Sequence, residues 1–247
     1  MKSPSKLALC FIVALSVASL PGLAADNELT QAEKSAGWIL LFDGHSLEGW
    51  RSFNKKSPPA KGWEVAGDCL HHLPKGGGGD IISEREFNDF ELEWDWKVAP
   101  GANSGLKYFI SESRKNKDGQ LLKGPIGHEY QLIDDNLHED ALRGPKWQTA
   151  SFYDVLAPTN RVLNPVGSFN HSRVLIRGNH VEHWLNSGLV LSYELGSPEV
   201  LEAVAKSKFN KVQSFGEKIT GHILLQDHGD EIWFKNVKIH PLSASAQ

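Results

Sequence analysis

The residues best suited to chemistry in this chain lie in one stretch, residues 127–135, which reads Gly-His-Glu-Tyr-Gln-Leu-Ile-Asp-Asp. The stretch predicts a strand, and a strand sends successive side chains to opposite faces. Glu129 and Gln131 then share one face about 6.5–7 Å apart, and His128, Tyr130 and Leu132 share the other. A carboxylate beside a carboxamide offers the acceptors and donors that sugar hydroxyls need. An ordinary solvent-facing strand is the alternative interpretation of this pattern.

Three further segments carry polar residues on one face of an alternating pattern. Acidic positions alternate with aromatic ones in residues 90–98, Lys107 lies opposite the apolar positions of 103–110, and 222–228 ends in Gln226 and His228. If these strands share one sheet, a single face carries Glu91, Glu93, Asp95, Lys107, Glu129, Gln131, Gln226 and His228. Asp227 would lie on the opposite face, at its rim. This mixture is more typical of a lined groove than of a plain solvent face.

The elements that must position this groove are short strands separated by turns. Gly67-Asp68 predicts a hairpin turn, and residues 173–193 predict a three-stranded meander. Ser197 followed by Pro198 predicts the start of a helix that runs to about Ser207. Many strands with one short helix and no internal repeat predict an all-β, two-sheet sandwich, a single domain over residues 28–242.

Composition and the first residues limit the function further. The chain has 247 residues and a net charge of −4, which gives no electrostatic basis for binding nucleic acid. Residues 1–24 combine a basic start, an apolar run and small residues before the end, which predicts a secretory signal peptide cleaved after Ala24 and export to the periplasm or beyond. The apolar run is too short for a membrane span. Cleavage removes Cys10 and leaves Cys69, which we expect to be a core residue.

Several short motifs occur in a fixed order along residues 37–242. They are Leu41-Phe42-Asp43-Gly44, Leu47, Gly49-Trp50, Asn103-Ser104-Gly105, Gly127-His128-Glu129-Tyr130-Gln131, Tyr153-Asp154, Gly221, Leu225-Gln226-Asp227-His228-Gly229 and Trp233-Phe234-Lys235-Asn236-Val237. As an ordered set they resemble the 3-keto-disaccharide hydrolase family. The resemblance implies a concanavalin-like jelly-roll sandwich, an exported protein, and a small carbohydrate substrate in which hydroxyl 3 has been oxidised to a ketone. The charged insert at 111–126 is less typical and leaves the exact glycoside open.

Such a substrate would define the chemistry. A ketone at carbon 3 acidifies the proton on carbon 2, so removal of that proton can expel the group on carbon 1, and water can then add. His228 is the expected base and Glu129 the second choice, while Lys107 or a bound divalent cation would hold the enolate oxygen. The expected substrate-binding residues are Gln131, Gln226, Glu93, Asp95, Asn103 and Tyr153.

Two other functions fit parts of the sequence. A retaining glycosidase would use a carboxylate pair such as Glu93 and Asp95, because same-face neighbours on a strand approach the separation of about 5–5.5 Å that this mechanism needs. A non-catalytic carbohydrate-binding module would need an exposed aromatic platform, whereas most tryptophans lie on predicted core faces. The histidines, such as His71-His72, His180 and His183, show no recognised zinc spacing, so no metal centre is predicted and an oxygen-bound divalent cation stays an open alternative.

Overall fold

A computed structural model of the chain describes residues 25–242, so the predicted signal peptide lies outside the described residues. The strands are β1 (Ile39–Leu40), β2 (Trp50–Ser52), β3 (Trp63–Ala66), β4 (Cys69–His72), β5 (Ile81–Phe87), β6 (Phe90–Val98), β7 (Asn103–Ile110), β8 (His128–Ile133), β9 (Asn170–Arg177), β10 (His180–Leu185), β11 (Gly188–Glu194), β12 (Gly221–Leu225) and β13 (Ile232–Pro241). The helices are α1 (Gln31–Ala36) and α2 (Pro198–Ala205), with short 3₁₀ turns at Ala141–Arg143 and Pro145–Trp147. In this described part no helix is long and apolar enough to cross a membrane.

The strands form two sheets whose paired neighbours are antiparallel, so the predicted all-β sandwich is confirmed. The larger sheet has the order β11-β10-β9-β6-β13-β4-β3, with β1 paired to β13, and the smaller has the order β2-β5-β12-β7-β8. Strand β6 shows why the sheets stack: Phe90, Leu92, Trp94 and Trp96 are fully buried, and the acidic residues between them are only partly covered. One apolar face on each sheet can leave water only against the other sheet.

A chain of hydrogen bonds crosses the core between the sheets. The Tyr108 hydroxyl on β7 lies 2.6 Å from the Tyr193 hydroxyl and 3.0 Å from His183 Nε2. His183 Nδ1 donates to the Ala150 carbonyl at 2.9 Å, which fixes the proton on Nδ1 and leaves Nε2 as the acceptor. Burial lowers the pKa of His183 to about 4, so the ring is neutral near neutral pH. The core therefore anchors the segment around Ala150, which borders the pocket described below.

Local sequence signals place most turns and helices correctly. Gly67 and Asp68 take positive φ values of 56° and 59° between β3 and β4, as the predicted hairpin requires. Ser197 caps α2 by accepting the Val200 amide at 3.3 Å, and the helix ends at Ala205 rather than near Ser207. A second short helix, α1, precedes β1 in addition to the helix predicted at Ser197. Cys69 is buried, and burial raises the pKa of its thiol.

Two strands depart from the predicted pattern. In β7 the alternation breaks at Phe109, whose φ of 60° turns it into the main core and leaves Ile110 in a separate apolar cluster with Ile82 and Leu224. The last strand before the closing one ends at Leu225, not at His228, so the loop after β12 carries Gln226 and His228. Their positions are set by loop contacts and not by strand parity.

Candidate active site

A lysine and a glutamate stand opposite each other on the outer face of the smaller sheet. Strands β7 and β8 pair so that Lys107 faces Glu129 and Gly105 faces Gln131. Lys107 Nζ lies 3.4 Å from Glu129 Oε2, and both side chains are almost fully covered. Gly105 provides the space for the carboxylate, because a Cβ there would lie 2.5 Å from Glu129 Oε1. Gly105, the last residue of the Asn103-Ser104-Gly105 motif, therefore leaves room for the Glu129 carboxylate because it has no side chain.

Three carboxamides around this pair have atoms without partners. Gln131 is fully buried, and its Nε2 has no hydrogen-bond partner among the described residues. The same holds for Gln226 Oε1 and for Oδ1 of the buried Asn103. Leaving such a group unpaired costs about 1–3 kcal/mol, so three in one place indicate a site built for polar ligand groups.

These side chains line one pocket on the smaller sheet. Seven of the nine predicted site residues contribute to its wall: Asn103, Lys107, Glu129, Gln131, Tyr153, Gln226 and His228. The remaining wall comes from loops, through Pro125, Ile126, Gly127, Lys208 and Phe209. The predicted face of Glu129 and Gln131 is thus a lined site and not an open solvent face.

The segment after β8 closes one side of the pocket. It runs along the free edge of β8, where the Ala150 amide donates to the Gln131 carbonyl at 2.9 Å and the Tyr153 amide donates to the Glu129 carbonyl at 3.1 Å. The Tyr153 hydroxyl donates to Asp140, and burial together with this carboxylate raises the pKa of Tyr153. The Tyr153 side chain is therefore held in place at the side of the pocket, and its hydroxyl stays neutral.

Lys208 is a site residue that the sequence gives no signal for, since it follows α2 in a polar, aperiodic segment. Its Nζ lies 4.2 Å from the centre of the Tyr153 ring, within the range of a cation–π contact. Although much of the side chain is exposed, desolvation near the pocket lowers the pKa of its ammonium group, with Lys107 acting in the same direction and Glu129 opposing. Lys208 brings a second positive charge to the pocket.

The loop that carries Gln226 and His228 is held by a buried clamp. His72 donates from Nδ1 to the Asp230 carbonyl at 2.8 Å, and its Nε2 lies 2.9 Å from Asp227 Oδ1. Asp227 also accepts the Gly79 amide at 2.7 Å, which ties the glycine-rich loop of residues 76–79 to the site. Burial disfavours the Asp227 anion, but the Gly79 amide and His72 together hold the pKa of Asp227 below the usual range.

Asp80 is a second residue near the site that the sequence analysis did not predict, because its position indicates only the start of a strand. Its Oδ1 accepts the Asp227 amide at 2.8 Å. Burial raises the pKa of Asp80, repulsion from Asp227 and Glu129 acts in the same direction, and Lys107 opposes it. Asp80 therefore lies in the electrostatic surroundings of the Lys107–Glu129 pair.

Glu93 and Asp95 are not in this pocket, and the expectation that they share its face is wrong. They lie on β6, which pairs with β9 and β13 in the larger sheet, and they point away from the core. Glu93 pairs with Lys238 at 3.1 Å, and Asp95 contacts His171 at 2.8 Å. Strand alternation gives the face of a side chain but not the sheet to which its strand belongs, which is where the prediction failed.

Comparison with known proteins places the chain among enzymes of sugar chemistry. The model of the family described as 3-keto-alpha-glucoside-1,2-lyase-like domain matches residues 37–240. The chain belongs to this family. A curated 3-keto-disaccharide hydrolase from Bacteroides thetaiotaomicron is 34% identical over 243 residues, covering 89% of this chain and 83% of the relative. The resemblance inferred from the motifs is confirmed, and so is the prediction of an enzyme that cleaves glycosidic bonds.

Solved structures agree on the architecture. A protein from Parabacteroides distasonis with a provisional glycosyl hydrolase assignment superposes with a TM-score of 0.77 at 33% identity, covering 89% of this chain and 100% of that one. A second protein from the same organism, with the same kind of assignment, gives a TM-score of 0.63 at 25% identity, over 83% and 99% of the two chains. The sandwich and its strand arrangement are thus found in related crystal structures.

Proposed function

We propose that this protein cleaves the glycosidic bond of 3-keto-disaccharides by eliminating the group on carbon 1 and then adding water. The observation that carries the proposal is the pocket itself, where a buried carboxylate and a lysine lie 3.4 Å apart among carboxamides with unpaired atoms. A base beside a positive charge is what proton removal next to a ketone requires. The relative's name, which specifies 3-keto-disaccharides, supports the choice of substrate.

The reaction proceeds in three balanced steps. A base takes the proton from carbon 2, and the electron pair left behind moves onto the oxygen at carbon 3 to form an enolate. The enolate then re-forms the ketone, a double bond forms between carbons 1 and 2, and the bond from carbon 1 to the leaving oxygen breaks as that oxygen gains a proton. Finally water adds across the double bond, with hydroxyl on carbon 1 and hydrogen on carbon 2, so the net result is hydrolysis.

The base is assigned by burial. Sequence reasoning favours His228, but that side chain is exposed at the rim, whereas Glu129 is only 5% exposed and its carboxylate is held in place over Gly105. A fixed, desolvated base loses little free energy to reorganisation when the proton moves. We therefore assign removal of the carbon 2 proton to Glu129. His228 lies at the rim of the same pocket.

The remaining requirements are met by the other residues of the pocket wall. Lys107 lies close enough to Glu129 to stabilise the negative charge that passes from the base region to the enolate oxygen. Lys208, with its lowered pKa, is the proton donor for the leaving oxygen. Gln131, Gln226 and Asn103 bind the hydroxyls through their unpaired amide atoms.

The test is release of the leaving group from matched substrates. The purified protein is incubated with a 3-keto glucoside and with the unoxidised parent glucoside of the same aglycone. Release from the keto compound alone supports the proposal, and Glu129→Gln should slow that release by about 10²–10⁴-fold. Equal release from both compounds would instead indicate direct hydrolysis without the ketone.

A further inference from the structure

We propose that His138, His228 and Asp230 form a binding site for one divalent transition-metal ion at the rim of the pocket. Each residue offers a nitrogen or oxygen atom, and these atoms all lie within 4.8 Å of one another. The rings of His138 and His228 are 6.0 Å apart between centres and nearly perpendicular. Two imidazoles and one carboxylate are a ligand set that binds divalent metal ions and leaves coordination positions open.

The three ligands come from two loops that the fold brings together. His138 follows β8, in a turn where its amide donates to the Asp134 carbonyl at 3.1 Å. His228 and Asp230 lie in the loop between β12 and β13, which His72 and Asp227 clamp from below. The separation in sequence explains why no metal-binding motif is visible, since neither loop alone supplies more than two ligands.

Asp230 is already oriented for such a role. Its Oδ2 accepts the Asn103 amide at 2.9 Å, which leaves Oδ1 to bind a cation. The side chain of the same Asn103 carries the buried Oδ1 that has no partner among the described residues, and it lines the pocket together with His228. An oriented carboxylate and a neighbouring unpaired carbonyl oxygen are independent signs of a polar ligand at this point.

One hydrogen bond has to be exchanged when the cation binds. His138 Nδ1 accepts the Asp140 amide at 3.1 Å, so the neutral ring carries its proton on Nε2. Coordination through Nδ1 replaces this bond, and coordination through Nε2 moves the ring proton to Nδ1, which can then no longer accept the Asp140 amide. The metal-free protein should thus show a local change at this turn when the cation is added.

The two histidines select the class of cation. Mg²⁺ and Ca²⁺ prefer oxygen ligands, whereas imidazole suits Zn²⁺, Co²⁺ and similar ions. The role of the ion, polarising the keto oxygen of the substrate as a Lewis acid, rests on the proposed function, whereas the binding site itself does not.

The experiment measures binding without relying on catalysis. The purified protein is treated with a chelator, dialysed, and titrated with Zn²⁺ by calorimetry, and Co²⁺ is added separately to record its visible absorption. We expect one ion per chain and Co²⁺ bands typical of nitrogen and oxygen ligands. His138→Ala and Asp230→Asn should each weaken Zn²⁺ binding by more than the roughly 10–100-fold cost of losing an outer-shell partner.

The matched control is His171→Ala, because His171 is also a histidine that contacts an aspartate, Asp95, but on the other sheet. It should bind Zn²⁺ like the unaltered protein. Absence of Zn²⁺ binding, or equal weakening by His171→Ala and His138→Ala, overturns the site. Circular dichroism of each metal-free variant checks the fold. A protein that binds Zn²⁺ at this site but releases nothing from a 3-keto glucoside would retain the metal site and refute the proposed function.

Discussion

Replacing Gly105 with alanine should slow the enzyme without unfolding it. The new Cβ would lie 2.5 Å from Glu129 Oε1, 3.0 Å from Cδ and 3.1 Å from Cγ, whereas ordinary contact begins near 3.4 Å. The carboxylate must therefore retreat by about 1 Å, a displacement that can cost about 100-fold in rate when the displaced group acts on the substrate. The backbone at Gly105 is not in the left-handed region, so alanine adds no backbone strain.

The assay compares kcat for release of the leaving group from a 3-keto glucoside, with thermal unfolding followed by circular dichroism. Gly188→Ala is the matched control, because the nearest atom to its Cβ is the Leu185 carbonyl oxygen at 3.4 Å and it lies on β11 of the other sheet. We expect kcat to fall about 100-fold for Gly105→Ala and to stay unchanged for Gly188→Ala.

A double variant separates displacement of the carboxylate from other damage. Glu129→Asp shortens the side chain by one methylene, so the new methyl group at residue 105 no longer meets it. The combined loss in Gly105→Ala/Glu129→Asp should be smaller than the product of the two single losses. If folded Gly105→Ala keeps kcat within a factor of about two, the fixed position of Glu129 is not needed for catalysis and the reasoning fails.

Three further predictions concern other parts of the molecule. Glu129→Gln should lower kcat by about 10²–10⁴-fold in the release assay, because it removes the general base. Glu93→Gln should leave kcat unchanged, and a fall in kcat for that variant would show that Glu93 belongs to the site. The pKa of His183 is about 4 in the folded chain and about 6.5 in the unfolded chain, so between these pH values only the unfolded chain binds a proton at His183. The free energy of unfolding should therefore fall by about 3 kcal/mol as the pH drops from 6.5 to 4. Urea unfolding at several pH values should show this slope, and His183→Gln should reduce it. We also propose export, so N-terminal sequencing of periplasmic or secreted protein should begin near Ala25, and an intact first segment would contradict it.

Local pattern was enough to find the centre of the site. Alternation along β8 placed Glu129 and Gln131 together away from the core, and alternation along β7 added Lys107. These inferences worked because each strand has one face against a core, and side-chain direction follows directly from the backbone.

Residues from loops and the assignment of strands to sheets could not be predicted in the same way. Glu93 alternates as well as Glu129 does, but its strand pairs with β9 and β13, and such pairing depends on the whole topology. Lys208 and His138 come from segments without periodicity, and Asp80 only precedes a strand. The folded chain brings Lys208 into the pocket wall, His138 next to His228, and Asp80 near Lys107 and Glu129. Gln226 and His228 reach the pocket although their predicted strand stops before them.

The most direct test of the account labels carbon 2 of the 3-keto substrate with deuterium. Elimination removes that deuteron, so the released sugar should exchange its label with solvent hydrogen, or the rate should show a primary isotope effect if proton removal limits it. Glu129→Gln should lose both the exchange and the release. Full retention of deuterium at carbon 2 in the released sugar, with no isotope effect, would contradict elimination and favour direct cleavage at carbon 1.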